Sequence, residues 1–273
     1  MNSIKKLLQK NKESLIMGVL NVTPDSFSDG GKFITPNAAL KHVEMMIYSG
    51  ADIIDIGAES TRPGAKIVPV NEERKRIEPV VKAIKKTFNI PVSIDTYKPE
   101  IMALGIDLGV EMINDIYALR QPGALDIVAN SDVMICLMHM QRTPSDMQDK
   151  PIYKNIINDV SQFLQERIFV CGEFGIDQSR LVIDPGFGFG KTHENNIKLF
   201  QSLDKLIFLS PPLLVGVSRK SMIRNIIGNE ENDIIQASVI MAALSVLRGA
   251  RIIRVHDVKE TKIALKTLQL NDN

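Results

Sequence analysis

Eight times along this chain an apolar, strand-like run stops on a polar residue, or once on a glycine, that opens a loop, and a helix-patterned stretch follows. The runs are Leu15 to Asn21, Asp52 to Gly57, Pro91 to Asp95, Glu111 to Asp115, Val133 to His139, Leu181 to Asp184, Leu213 to Ser218 and Arg251 to His256. Strands that alternate with helices pair in parallel, and runs rich in Val, Ile and Leu with little alternation suit a sheet buried on both faces. Eight such units of similar length predict an α/β fold, a single-domain (β/α)8 TIM barrel spanning residues 1–273. A doubly wound open sheet would leave edge strands to protect, and a closed barrel leaves none. Because active sites of such barrels lie at the C-terminal strand ends, the polar residues that close the runs are the first candidates for chemistry.

Composition removes several other classes. The formal net charge is +1 and the 24% of charged residues are spread throughout, so no basic stripe is present for a nucleic acid. No apolar stretch approaches the length of a membrane span, and the N-terminal MNSIKKLLQKNKES lacks an apolar core followed by a cleavage site. A cytoplasmic protein is expected. Cys136 lies inside the fifth apolar run and Cys171 at the end of a helical stretch, without C-x-x-C spacing, so both read as packed thiols. Helical faces are expected at Ile77, Val80, Val81 and Ile84, and at Ile235, Val239, Ala242 and Val246.

Two long loops, NVTPDSFSDGGKF after the first run and AESTRPGAKIVPV after the second, are dense in Gly, Pro, Ser, Thr and Asp and read as binding loops or lids. Phe27, flanked by Ser26 and Ser28, is the large apolar residue in the first. After the sixth run, Gly186 to Thr192 reads G-x-x-x-G-K-T, one residue short of a phosphate-binding loop, with Pro185 where the first glycine would fall. The glycines at 186, 188 and 190 instead permit a tight backbone that presents Phe187 and Phe189. Phe187 is expected to pack inward, and at least one ring to stack on a flat ligand.

The strand ends supply two chemistries. Asp95, Asn114 and Asp184 offer acceptors and an amide suited to the polar edge of a nitrogen heterocycle. Arg62, Arg219, Lys220, Arg254 and His256 suit an anion with several phosphate oxygens. His42 and His193 lie in helical patterns and read as structural, and His139, at the end of the fifth run, is given no chemical role.

The segments Gly18 to Gly31, Glu59 to Ala65, Ser93 to Thr96, Ile113 to Asp115, Asp184 to Lys191, Ser218 to Ser221 and Arg254 to Asp257 together resemble those of bacterial dihydropteroate synthases, in the same order and across essentially the whole chain. Ala58 stands where that family usually has glycine, outside the presumed contact groups. The resemblance implies transfer of a dihydropterin methyl group from its pyrophosphate ester to the amine of p-aminobenzoate, in folate synthesis. It implies that Asp184 and Asn114 hold the aminopyrimidine edge, that Lys220 meets the pterin carbonyl and neighbouring nitrogen, and that Met138 and Phe189 flank the ring. Asp95 would face the growing positive charge, while Arg62, Arg254 and His256 bind the pyrophosphate. Mg²⁺ would be held by Asn21, with Asp29 as a second contact. Phe27, Thr61 and Pro63 would form the p-aminobenzoate pocket, with Ser221 near the carboxylate, and sulfonamides would compete there. A homodimer through helices near the C-terminal end is expected by the same analogy. A pterin barrel that passes a methyl group to a corrinoid would keep the pterin pocket without needing the anion site, and a scaffold barrel predicts the loss of one of its charges.

Overall fold

A computed structural model describes residues 2–11, 13–23, 35–60, 65–144 and 146–268 of the chain. Eight parallel strands close in sequence order: β1 (Leu15–Asn21), β2 (Ile53–Gly57), β3 (Val92–Asp95), β4 (Met112–Asp115), β5 (Met134–Met138), β6 (Leu181–Asp184), β7 (Leu213–Val215) and β8 (Ala250–Val255). The helices are α1 (Ser3–Lys10), α2 (Pro36–Tyr48), α3 (Val70–Thr87), α4 (Pro99–Asp107), α5 (Ala124–Ala129), α6 (Ile156–Glu173), α7 (His193–Gln201), α8 (Ser221–Ile227), α9 (Glu231–Leu247) and α10 (Val258–Leu268). The expected barrel is therefore the fold, with each polar run-end at the same rim.

Strand side chains alternate between the two faces of the wall. Leu15, Met17, Ile53, Met112, Met134, Cys136, Val182, Leu214 and Ile252 fill one cluster, distinct from the larger one between wall and helices. Ile4 of α1, fully buried, joins the same cluster and plugs it. Asn2 caps that helix by accepting from the Ile4 and Lys5 amides, and its own amide donates to the Glu111 carbonyl at 2.7 Å, so the plug is tied to the barrel. Moving two residues along the strands from this layer leads to Asp55, Asn114, Met138, Asp184 and Arg254, while Asn21 lies four residues on from Met17 and Asp95 two on from the buried Ser93. The inward alternation thus carries polar residues at or next to the run-ends into the mouth, while Asp115 turns to the amides of Tyr117 and Leu119 and His139 packs against Phe163.

The barrel-facing side of α3 follows expectation, with Ile77, Val80, Val81 and Ile84 all buried. Helix α9 does not. It buries Ile234, Ser238, Ala242 and Ser245, while Ile235, Val239 and Val246 are only half-buried. Small residues allow close approach, and Ser238 is needed inside because its hydroxyl accepts the Arg219 amide at 2.9 Å. The apolar residues Ile240 and Leu247 are consequently left on the outer surface. Both cysteines are free and buried.

Candidate active site

The inner face of the mouth holds an ionic network built across four strands, β2, β3, β4 and β8. Arg254 on β8 reaches across the barrel, its Nε donating to Asp55 Oδ2 at 2.6 Å and its Nη2 to Asp95 Oδ2 at 2.8 Å. Asn114 on β4 donates to the same Asp55 oxygen at 3.1 Å. Asp55 was not among the expected site residues. An aspartate at an inward position of the apolar run Asp52 to Gly57 was the available signal, because a carboxylate inside a barrel needs a charged partner.

Burial raises Asp95 to about 7, although Arg254 beside it acts in the opposite direction; Asp55, Glu73 and Asp115 add like-charge repulsion. Burial also raises Asp184, and Lys220 and the Gly186 amide pull it back. Lys220 is lowered to about 8, chiefly by burial, with Asp184 opposing. For Arg254 burial alone would lower the pKa, but Asp55 and Asp95 more than offset it, so the guanidinium stays charged.

Asp184, Met138, Phe189 and Lys220 line one side. Asp184 Oδ1 accepts the Gly186 amide at 2.7 Å. The Lys220 ammonium lies 4.7 Å from the centre of the Phe189 ring and donates to the Phe187 carbonyl. Met138 clusters with Ile116, Met140 and Met147, and Phe189 packs against that cluster. Apolar surface from Met138 and Phe189 thus lies beside the polar Asp184 and Lys220 at the mouth. Phe187 is fully buried and meets Phe200 edge-on at 5.9 Å, so it packs inward as expected.

The cationic set is less available than its sequence suggests. Arg219 is ion-paired to Asp257 and to Glu231, so it is not a free anion ligand. Its backbone φ of 58° turns it away at the strand end, and the residue that follows, Lys220, enters the slot instead. His256 shares a 3.1 Å contact with the Ser218 hydroxyl. Its side chain is exposed at the rim by surface area, yet desolvation among its neighbours, with Arg254 and Arg219 nearby, lowers its pKa to about 4, so it is a neutral ring at pH 7. Ser221 begins α8 and is exposed. Phe27, Asp29, Thr61, Arg62 and Pro63 lie outside the described residues.

The glycine-rich segment is not a phosphate loop. Lys191 is buried and turns inward, and Thr192 caps α7 by accepting the Asn195 amide at 3.2 Å. Gly186, Gly188 and Gly190 all have positive φ, between 59° and 82°. A Cβ at Gly186 would stand 2.0 Å from the His139 carbonyl oxygen, so the turn closes only with glycine there.

Asn21 ends β1 with its side chain exposed, and its Oδ1 and Asp95 Oδ2 both face the gap above Gly57, each 3.7 Å from where a Cβ would stand. Among the described residues no cluster of three or more His, Cys, Asp or Glu could hold a metal alone. One open amide oxygen fits a hard cation that keeps waters and arrives with a phosphate.

The sequence profile of the family described as pterin binding enzyme matches residues 17–256. Dihydropteroate synthase of Escherichia coli (strain K12) is 45% identical over 254 residues, covering 93% of this chain and 90% of that protein. The dihydropteroate synthase of Yersinia pestis, crystallised with a sulfonamide drug, superposes with a TM-score of 0.91 at 43% identity, covering 95% of this chain and 94% of that one. That of Xanthomonas albilineans with 4-aminobenzoic acid gives 0.90 at 46% identity, covering 96% and 94%. With its barrel, its inward-facing polar slot and relatives of this closeness, the chain belongs to the pterin binding enzymes, in their dihydropteroate synthase branch.

Proposed function

We propose that the barrel mouth joins 6-hydroxymethyl-7,8-dihydropterin pyrophosphate to p-aminobenzoate, giving 7,8-dihydropteroate and pyrophosphate in folate synthesis. The observation that carries this reading is the convergence of Asp95, Asn114, Asp184, Lys220 and Arg254 around one slot. Asp184 and Asn114 accept and donate along the aminopyrimidine edge, Lys220 donates to the carbonyl and ring nitrogen, and Met138 and Phe189 cover the faces. Asn114 can meet a ligand in a single amide orientation, because Asp55 already takes one of its N–H groups.

In the reaction the methylene carbon–oxygen bond breaks, the pair leaves with pyrophosphate, and the arylamine nitrogen forms the new bond before losing its proton to water. If the leaving group departs first, positive charge spreads over the pterin, and the fixed Asp95 carboxylate stabilises it as a preorganised charge. An arylamine meeting a cation needs little base assistance, and His256, its pKa lowered to about 4, is a weak base. Arg254, with Arg62 and His256, meets the pyrophosphate. Its Asp95 contact is exchanged for phosphate oxygens while Asp55 keeps Nε, so one side chain serves both halves of the reaction.

Asn21 would hold Mg²⁺, which when bound neutralises the leaving group; Asp29 is a second candidate ligand. Phe27, Thr61 and Pro63, with Ser221 near the carboxylate, form the p-aminobenzoate pocket, where sulfonamides compete as mimics of that substrate. The family analogy also supports a homodimer. The exposed Phe208, Ile240 and Leu247, at and near α9, suit such a face. Light scattering on the wild type and Leu247→Lys tests it. No helix among the described residues is long and apolar enough to cross a membrane, in keeping with a cytoplasmic site of action.

The deciding assay follows pyrophosphate and dihydropteroate formation from the two substrates, with and without Mg²⁺. Matched formation of both products supports the reading. Pterin binding without pyrophosphate release overturns it.

A further inference from the structure

The turn after β6 has each of five consecutive carbonyls taken by a side chain. Gly186 O and Phe189 O accept from Lys191 at 2.7 and 3.0 Å, Phe187 O from Lys220, Gly188 O from Gln148 at 2.6 Å, and Gly190 O from the Tyr153 hydroxyl at 2.6 Å. The Gly188 amide donates to Asn196 at 2.8 Å. A turn left to solvent would need none of this. The central group is Lys191, only 3% exposed. Its Nζ also reaches the His139 carbonyl at 3.3 Å and His139 Nδ1 at 2.9 Å, and among the described residues no carboxylate forms an ion pair with it, although Asp184 attracts it from farther off. His139 in turn sits edge-on to Phe163, with ring centres 4.9 Å apart.

Burying a lysine without an ion-pair partner is costly, and replacement by an apolar side chain of similar volume would commonly be neutral or stabilising. What the amine supplies here and a methyl group could not is a three-way hold on backbone: two carbonyls of the β6 turn and one at the end of β5. Those are the two strands that carry Asp184 and Met138, and the turn between Gly186 and Lys191 carries Phe189. The lysine of the near-miss phosphate motif therefore faces inward beneath the slot.

We propose that Lys191 is a positioning residue for the pterin ring: it fixes the β6 turn against the end of β5, and so sets the Phe189 ring and the Asp184 carboxylate at the spacing a flat heterocycle needs. His139 completes the hold through its ring nitrogen. This assignment rests on the pterin reading of the slot, and it concerns binding of one substrate only. Loss of the hold leaves the p-aminobenzoate side, carried by other loops, intact.

The test compares wild type with Lys191→Met, which keeps length and removes the donors. KM is measured for each substrate, and binding of the dihydropterin pyrophosphate is followed by calorimetry. The expected result is a KM and Kd for the pterin substrate raised about tenfold or more, with KM for p-aminobenzoate within about twofold of wild type. Lys191→Gln, which keeps two amide donors, should recover part of the loss, and it replaces the methionine variant should that one not fold. Unchanged pterin binding overturns the proposal, and so does an equal rise in both KM values. Wild-type protein that binds the pterin without turnover would overturn the synthase reading alone, leaving the calorimetric comparison to decide the role of Lys191. Wild-type protein that binds no pterin overturns both.

Discussion

Arg254 Nη2 lies 2.8 Å from Asp95 Oδ2, so the group proposed to meet the leaving anion is held by the group proposed to meet the emerging cation. Each balances the other's charge, and in the proposed reaction substrate would separate the pair by supplying each with an opposite charge. Asp95→Asn preserves the shape and removes the charge. It is expected to lower kcat about 100-fold or more while leaving KM for p-aminobenzoate little changed, as steady-state kinetics would read.

Asp55 anchors this pair without facing the substrate. It is fully buried, and its Oδ2 takes both Arg254 and Asn114. Asp55→Ala leaves a buried guanidinium with Asp95 alone, and should destabilise the fold by about 3 kcal/mol in urea unfolding. A loss below about 0.5 kcal/mol would show that Asp95 suffices as partner.

The rate should depend on pH through two largely desolvated groups at the mouth. Asp95, raised to about 7 mainly by burial, acts as a carboxylate, so kcat/KM should fall as the pH drops below about 7. Lys220, lowered to about 8 mainly by burial, acts as an ammonium, so kcat/KM should fall again above about 8. The profile is a narrow bell, and in Asp95→Asn its acid limb should vanish.

Gly186 is required by space as well as by its φ of 67°. Gly186→Ala sets a methyl group against the His139 carbonyl, which neither backbone can yield cheaply. The melting temperature should drop by at least about 5 °C, read by calorimetry.

Removing Mg²⁺ with a chelator should abolish turnover while leaving binding of a pterin lacking the pyrophosphate unchanged. Asn21→Ala should raise the Mg²⁺ concentration needed for half-maximal rate about tenfold, since one of few protein oxygens is lost. An unchanged requirement would remove Asn21 as the ligand.

The barrel was legible in the sequence because its information is local. Each run is apolar, all but the one closed by Gly57 end on a polar residue, and side chains alternate along a strand, so Asp95, Asn114, Met138, Asp184 and Arg254 could be placed at the mouth without knowing any contact. The fully buried residues of α3 followed from period alone. For α9 period failed, because the helix packs by its small residues around a serine that accepts the Arg219 amide.

What the tertiary structure alone decided is which charges are free. The partners of Arg254 lie 199 and 159 residues away, and Arg219 pairs with Asp257 38 residues on. Whether Lys191 points outward to a phosphate or inward to carbonyls depends on the backbone of His139, 52 residues earlier. Residue type states what a side chain can donate or accept; which partner it meets, and what burial does to its charge, is fixed only when the barrel closes and brings distant strands to one rim.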